Sequence, residues 1–289
     1  MSDRRKSFLG ILLGPGLFWL VTFFIVPAIL VVVYSFLTRR DGGGVLWQFS
    51  LDAWTKFFTT PPSDSASWLN DYVIIFVRSF RIAGVTTILC LLFGYPLAFY
   101  IAQQPTSRRG TLLFMVMIPF WTNFLVRTYS WLFILNNNGL LNGLLESIGL
   151  PTLSIIGTET AVQIGQLYGS LPFMILPLYA SIEKLDFSLV EAAQDLGATY
   201  WNVFRRIILP LTLPGIAAGS VLVFIPAAGQ YVVPTILGKG KVTMLGSILE
   251  QQYKSAANWP FGSVMGVVFM VLLMAAVVYY IRSEREEAA

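Results

Sequence analysis

Residues 191–210 read EAAQDLGATYWNVFRRIILP. Small and polar residues come first, then a glycine, then an aromatic and basic run that closes on a proline. Just upstream, Ser188 and Glu191 have the S-x-x-E spacing of a capping box, in which the hydroxyl starts a helix and the glutamate folds back on it. The spacing predicts a short helix from about Leu189 to Leu196. Gly197 allows the left-handed turn that ends it, and a second helical stretch through Tyr200, Val203, Phe204 and Ile207 leads to Pro210 and Pro214. Ala192 and Ala193 take the bulk off one face, so another protein surface can approach closely. A short helix joined stiffly to a long one is a lever.

The long element belongs in a membrane. Of 289 residues, 56% are hydrophobic and 12% charged, about half the roughly 25% charge of a soluble domain; mean hydropathy is +0.70. Windows 7–38, 82–107, 160–182, 207–238 and 261–281 carry no charge, and 111–135 carries only Arg127. Each reaches the roughly 20 residues that a hydrocarbon core requires. The expected fold is an all-α membrane protein of six transmembrane helices, at about 8–37, 74–104, 111–135, 160–182, 207–233 and 261–281, with the segment 188–205 between the fourth and fifth. Residues 1–289 read as a single domain. Arg4, Arg5 and Lys6 precede the first window, but its 32 uncharged residues exceed the roughly 7–15 of a signal core, so it reads as a retained helix.

Composition excludes several chemistries. The chain has no histidine, so neither an HExxH metal site nor a histidine-based triad is available. Its single cysteine, Cys90, lies inside the second span and packs there. The run Gly238-Lys239-Gly240-Lys241 lacks the earlier glycine and the Ser or Thr after the lysine that a phosphate loop needs. No metal or cofactor is expected in this chain. The net charge of +4 is spread over helix ends rather than one face, which argues for topology and against nucleic acid.

Lysine and arginine in short loops set orientation. With both termini cytoplasmic, the inner segments hold Arg4, Arg5, Lys6, Arg108, Arg109, Lys184, Arg205, Arg206, Arg282 and Arg285, in shorter loops than the outer basic residues occupy. The outer connection 136–159 has no basic residue, although Arg39 and Arg40 run against the rule. This orientation puts 183–206 in the cytoplasm. On the other side, 39–72 with Gly42, Gly43, Gly44, Pro61 and Pro62 reads as a lid or docking loop around a short helix at 51–58. Residues 140–148 read as an interfacial helix and 247–254 as another short one. Pro15, Pro27, Pro96, Pro172, Pro177 and Pro226 bend spans, which a bundle tolerates where neighbours satisfy the freed carbonyls.

E-A-A, three residues, Gly, nine residues, Ile-x-Leu-Pro resembles the signature of inner-membrane permease subunits of ATP-binding-cassette importers. Here it falls on Glu191, Ala192, Ala193, Gly197, Ile207, Leu209 and Pro210 with no departure. The resemblance implies a type I importer permease whose cytoplasmic coupling helix docks on a separate ATPase dimer, which binds ATP and Mg. The blocks FLTRRDGGGVLWQFSLDAWTKFF (36–58), PFWTNFLVRTYSW (119–131), LPFMILPLYASIEKLD (171–186), ILPLTLPGIAAG (208–219) and NWPFG (258–262) are similar to the permeases of spermidine/putrescine importers. That likeness implies a polyamine cargo, a second related permease and an extracytoplasmic polyamine-binding protein, in a bacterial inner membrane.

No carboxylate is expected at mid-membrane depth to receive an amine. A cation would instead pass over aromatic faces, at about 0.5–2 kcal/mol each. Trp121, Tyr129, Tyr168 and Tyr231 are the candidates, with Asn123 as a polar neighbour; each ring also fits packing or an interfacial belt. Arg127 is expected to reach outward to the interface, since an arginine on the path would repel a polyamine. The alternatives are the same architecture carrying an oxyanion, an iron chelate or an amino-acid derivative, and, in another class, a stand-alone channel or an intramembrane enzyme. For the latter two the sequence shows neither a repeated filter motif nor a catalytic pair.

Overall fold

The computed structural model describes residues 15–60 and 70–287, with side chains through residue 278. Arg4, Arg5, Lys6, the beginning of the first expected span, Pro61, Pro62 and the side chains of Arg282 and Arg285 lie outside the described residues. The described chain is mostly helical and divides into two compact units, residues 1–73 with 248–289, and residues 74–247.

In the first unit, α1 (Pro15–Tyr34) leads into a two-stranded antiparallel hairpin, β1 (Leu37–Arg39) and β2 (Val45–Phe49), followed by α2 (Asp52–Thr59). The short helix was expected at 51–58; the hairpin was not. Its strands are too short to show a period, and the Gly42, Gly43, Gly44 turn reads equally as loop. Arg39 Nη2 donates to the Ala256 carbonyl at 2.9 Å, and the Gly44 amide to that of Ala257 at 3.2 Å. These bonds tie the hairpin to the loop before the last helix, α12 (Trp259–Glu287).

The boundaries of the units fall within α3 (Asp71–Gln103) and α11 (Leu245–Tyr253). The second unit adds α4 (Thr106–Trp121), α5 (Phe124–Leu135), α6 (Leu140–Ser147), α7 (Glu159–Ile182), α8 (Ser188–Asp195), α9 (Tyr200–Ala228) and α10 (Val232–Leu237). Its centre is the pair α7 and α9. Gly215 and Gly219 lie one turn apart on α9, and there the two backbones come too close for a side chain. A Cβ on Gly215 would sit 2.8 Å from the Pro177 carbonyl oxygen, and one on Gly219 would sit 2.7 Å from the Met174 sulfur. Around this crossing Cys90, Ala98, Ile101, Met174, Leu178, Ile182 and Val223 form one apolar core. A second gathers Ile82, Leu135, Val162, Val233, Leu237 and Met244.

Among the described residues five helices are long and apolar enough to span a membrane: α1, α3, α7, α9 and α12 through Val278. The expected continuous span at 111–135 is instead broken. Between α4 and the run Phe124–Ser147 the axis turns by 84°, and a sixth crossing requires this bent pair. The cause is local. Thr122 and Asn123 are extended, with ψ of 147° and 133°, and the Asn123 side chain accepts from the amides of Leu125 and Val126, starting a new helix.

Among the described residues two π turns occur, each before a proline. Val21–Ile25 in α1 ends two residues before Pro27, and Phe204–Ile208 in α9 ends two residues before Pro210. A proline has no N–H to donate and crowds the carbonyl four residues back, so the helix widens by a turn rather than breaking. The fifth span therefore starts earlier than expected, at Tyr200, and ends at Ala228. Tyr231 lies beyond it, before α10.

Candidate coupling segment and intramembrane cavity

Helix α8 is capped at both ends and contacts the start of α9. None of its residues is buried. The expected capping box does not form: the Asp186 carboxylate, not that of Glu191, accepts the first free amide, Ser188 N–H, at 3.0 Å. Bonds from the Ser188 hydroxyl and amide hold the Asp186 carboxyl below its ordinary range. Asp186 lies two residues upstream and so needs only a local turn to reach the amide. At the other end Gly197 has φ +84°. Its amide donates to Gln194 O at 2.8 Å and that of Ala198 to Ala193 O at 3.0 Å, the two bonds of a Schellman stop. Thr199 Oγ1 then accepts from the Asn202 amide and begins α9.

The outward surface of this segment carries Glu191, Ala192, Gly197 and three large apolar side chains, Leu196, Tyr200 and Trp201, exposed by 90%, 83% and 66%. Ala193, Ile207 and Leu209 are half-buried, and Pro210 is exposed. A hollow of about 690 Å³ adjoins α8, lined by Ser181, Lys184, Asp186, Leu189, Pro214 and Gly215 among others. The segment is a strut with an exposed apolar end.

A second cavity of about 240 Å³ opens among α5, α7 and α9, beside the α4–α5 break. Phe120, Arg127, Gln166, Ser170, Phe173 and Gln230 are among its lining, which holds no carboxylate among the described residues. Arg127 departs from expectation. Instead of reaching outward, its Nη1 donates to the Pro119 carbonyl at 3.0 Å. Its guanidinium lies 4.7, 5.6 and 5.7 Å from the ring centres of Phe120, Phe124 and Tyr168. The break leaves the last carbonyls of α4 without helical donors, and a nearby arginine satisfies one of them at lower cost than an unpaired carbonyl in an apolar setting.

The five expected path residues do not converge. Tyr168 touches Arg127 and packs edge-on against Trp131. Asn123 is used as a helix cap. Trp121 is 73% exposed and packs on Phe114, and Tyr129 and Tyr231 are exposed by 47% and 43%. None of the five lines the cavity. The sequence reading passed over Gln166, which is 3% exposed: its Oε1 accepts from Thr86 Oγ1 at 3.1 Å and its Nε2 donates to Ala227 O at 3.3 Å, joining α3, α7 and α9. An amide inside the apolar run 160–182 was the available signal. Gly215 and Gly219 were also legible, as a small-xxx-small pair.

The fold and the exposed strut define the permease class of binding-protein-dependent importers. Residues 94–283 match the family described as binding-protein-dependent transport system inner membrane component, and the chain belongs to it. Within that family it is homologous to the spermidine/putrescine transport system permease protein PotB. It is 40% identical to that of Haemophilus influenzae over 92% of this chain and 91% of the relative. The PotB of Escherichia coli is 38% identical over 92% and 94%. These relatives are transport permease subunits and not enzymes. A bacterial alginate ABC transporter, solved with its periplasmic protein carrying an alginate pentasaccharide, superposes with a TM-score of 0.70 at 19% identity, covering 98% of this chain and 96% of that one. The fold is that of a type I ABC importer permease. Among the described residues no group of three acidic or cysteine side chains is placed to hold a metal ion.

Proposed function

We propose that the chain is one permease half of an ATP-driven importer of polyamines, spermidine or putrescine, working by alternating access as a single permease domain over residues 1–289. The observation that carries this reading is the strut. Helix α8 presents Glu191 and Ala192 outward, stops at the left-handed Gly197 and continues through Ile207, Leu209 and Pro210 into a membrane-spanning helix. Such a strut moves a span when a partner moves the strut. That partner is an ATPase dimer, which binds ATP and Mg. The other partners are a second related permease and an extracytoplasmic polyamine-binding protein that docks on the side of the hairpin. The orientation puts 183–206 and both termini in the cytoplasm. The likeness to PotB supports the cargo, and Trp121, Asn123, Tyr129, Tyr168 and Tyr231 are the proposed contacts along its path.

One observation favours a second cargo class. Arg127 brings a positive charge to the wall of a cavity that has no carboxylate among the described residues, which suits an oxyanion better than an amine. Reconstitution of the complex in proteoliposomes with its binding protein decides between them. ATPase stimulation by spermidine or putrescine, and not by sulfate or chelated iron, is expected; stimulation by sulfate alone overturns the polyamine reading.

A further inference from the structure

Both ends of the coupling segment rest on one helix, α3, through an unbroken chain of aromatic rings. Phe187, immediately before α8, meets Phe99 edge-on with ring centres 6.4 Å apart. Phe99 stacks on Tyr95, one turn away, at 6.5 Å. Tyr95 meets Phe204, just past the start of α9, at 5.7 Å and 87°, and Phe204 stacks on Trp201 at 5.8 Å. A polar link runs alongside. The Tyr95 hydroxyl lies 3.0 Å from Thr212 Oγ1, whose own hydrogen goes to the Ile208 carbonyl at 2.9 Å, so Tyr95 is the donor. Thr212 is fully buried.

Between these two anchors the segment has no buried residue of α8 and adjoins the 690 Å³ hollow. Helix α8 also contacts the Phe204–Ile208 turn of α9, and α3 meets the segment on both sides of α8, at Phe187 before it and at Phe204 after it. Pro96 follows Tyr95 directly and lies inside α3. It deprives the Leu92 carbonyl of its helical donor and softens the helix there. The part of α3 that carries both rings can thus follow the segment while the rest of the span stays in place.

We propose that α3 is a second output of the coupling segment, with Tyr95 and Phe99 as positioning residues that hold α8, the start of α9 and the Tyr95–Gln103 end of α3 as one moving body. The inference rests on the coupling role proposed above for 188–205.

The test uses the whole complex, with both permeases, the ATPase and the binding protein, in proteoliposomes. Spermidine uptake and ATP hydrolysis are measured together. Tyr95→Ala and Phe99→Ala are expected to keep hydrolysis and lower uptake per ATP by at least about fivefold, the low end of ordinary inter-site coupling. Tyr95→Phe, which keeps the ring, is expected to stay near wild type. An unchanged ratio in both alanine variants overturns the proposal. If those variants fail to assemble, a Phe99→Cys, Phe187→Cys pair in a Cys90→Ala background, joined by a short cleavable thiol crosslinker, gives the answer. Uptake that survives the crosslink supports one body, and uptake lost on linking and restored on cleavage overturns it. Glu191→Ala and Gly197→Val in the same assay separate the layers. If they uncouple uptake while the α3 variants do not, only the α3 branch falls; if they too leave the ratio unchanged, the coupling role falls and this inference with it.

Discussion

Arg127 Nη1 donates to the carbonyl of Pro119, eight residues earlier, at 3.0 Å across the break between α4 and α5. The same oxygen accepts the Thr122 hydroxyl at 2.7 Å. An arginine that composition alone assigns to the membrane interface thus closes a bend within the second unit. Arg127→Met removes the charged donor and the ring contacts together. A loss of about 1.5–3 kcal/mol is expected for the charged bond, read as a lower melting temperature of the purified complex. Arg127→Lys, which keeps a cation over Phe120, is expected to recover part of it. Equal melting temperatures for wild type and Arg127→Met would show that the clasp contributes nothing.

The crossing of α7 and α9 gives a sharper stability prediction. Gly215→Ala pushes a methyl group against the Pro177 carbonyl and Ser181, atoms that cannot move without moving a helix. The expected cost is about 1–3 kcal/mol, typical of overpacking. Gly169→Ala is the control, because a Cβ there meets nothing within 4 Å. Thermal unfolding of the two variants side by side checks the difference in sign and size.

Gly197 tests the strut in another way. At φ +84° a side chain is strained whatever space surrounds it, by roughly 1–2 kcal/mol for a residue held in the left-handed region. Gly197→Val is expected to unwind the stop of α8 and uncouple uptake from hydrolysis, leaving the complex in the membrane. Glu191→Ala, which leaves the backbone untouched, is expected to act through the partner surface alone. Wild-type uptake in both variants would remove the strut from the mechanism.

Acid should loosen the start of α8. Hydrogen bonds from Ser188 lower the folded-state pKa of Asp186 below its unfolded value, so the stabilisation is fully present above the ordinary carboxylate range. It is lost as pH falls through the lowered folded value. Amide exchange at Ser188 and Leu189 is expected to become less protected on acidification below about pH 4, near the ordinary Asp value. Asp186→Ala should show the less protected pattern already at neutral pH and lose the acid dependence. An Asp186→Ala protein with wild-type exchange would contradict the cap.

Much of this protein was legible in sequence because its signals are local. Runs of about 20 apolar residues report bilayer thickness directly, and the helices at Asp71–Gln103, Glu159–Ile182 and Trp259–Val278 lie close to where those runs put them. Gly197 was legible because only glycine adopts a left-handed stop at little cost. Asp186 was missed because two acceptors competed for the same amide, and a spacing rule cannot say which arrives. That Trp121, Tyr129 and Tyr231 do not line the cavity beside Arg127 was not legible, because ring chemistry carries no information about which way a ring points.

By itself, then, the chain determined its membrane class, the places of most of its spans and the short capped helix between the fourth and fifth, all set by hydrophobicity and backbone preference over fewer than about 30 neighbouring residues. Tertiary structure alone decided which backbone the small pair Gly215 and Gly219 meets and that Tyr95 and Phe99 support both ends of the strut. Those outcomes join residues that are far apart in the chain, up to the 117 positions between Tyr95 and Thr212. Their energies exist only once distant atoms meet.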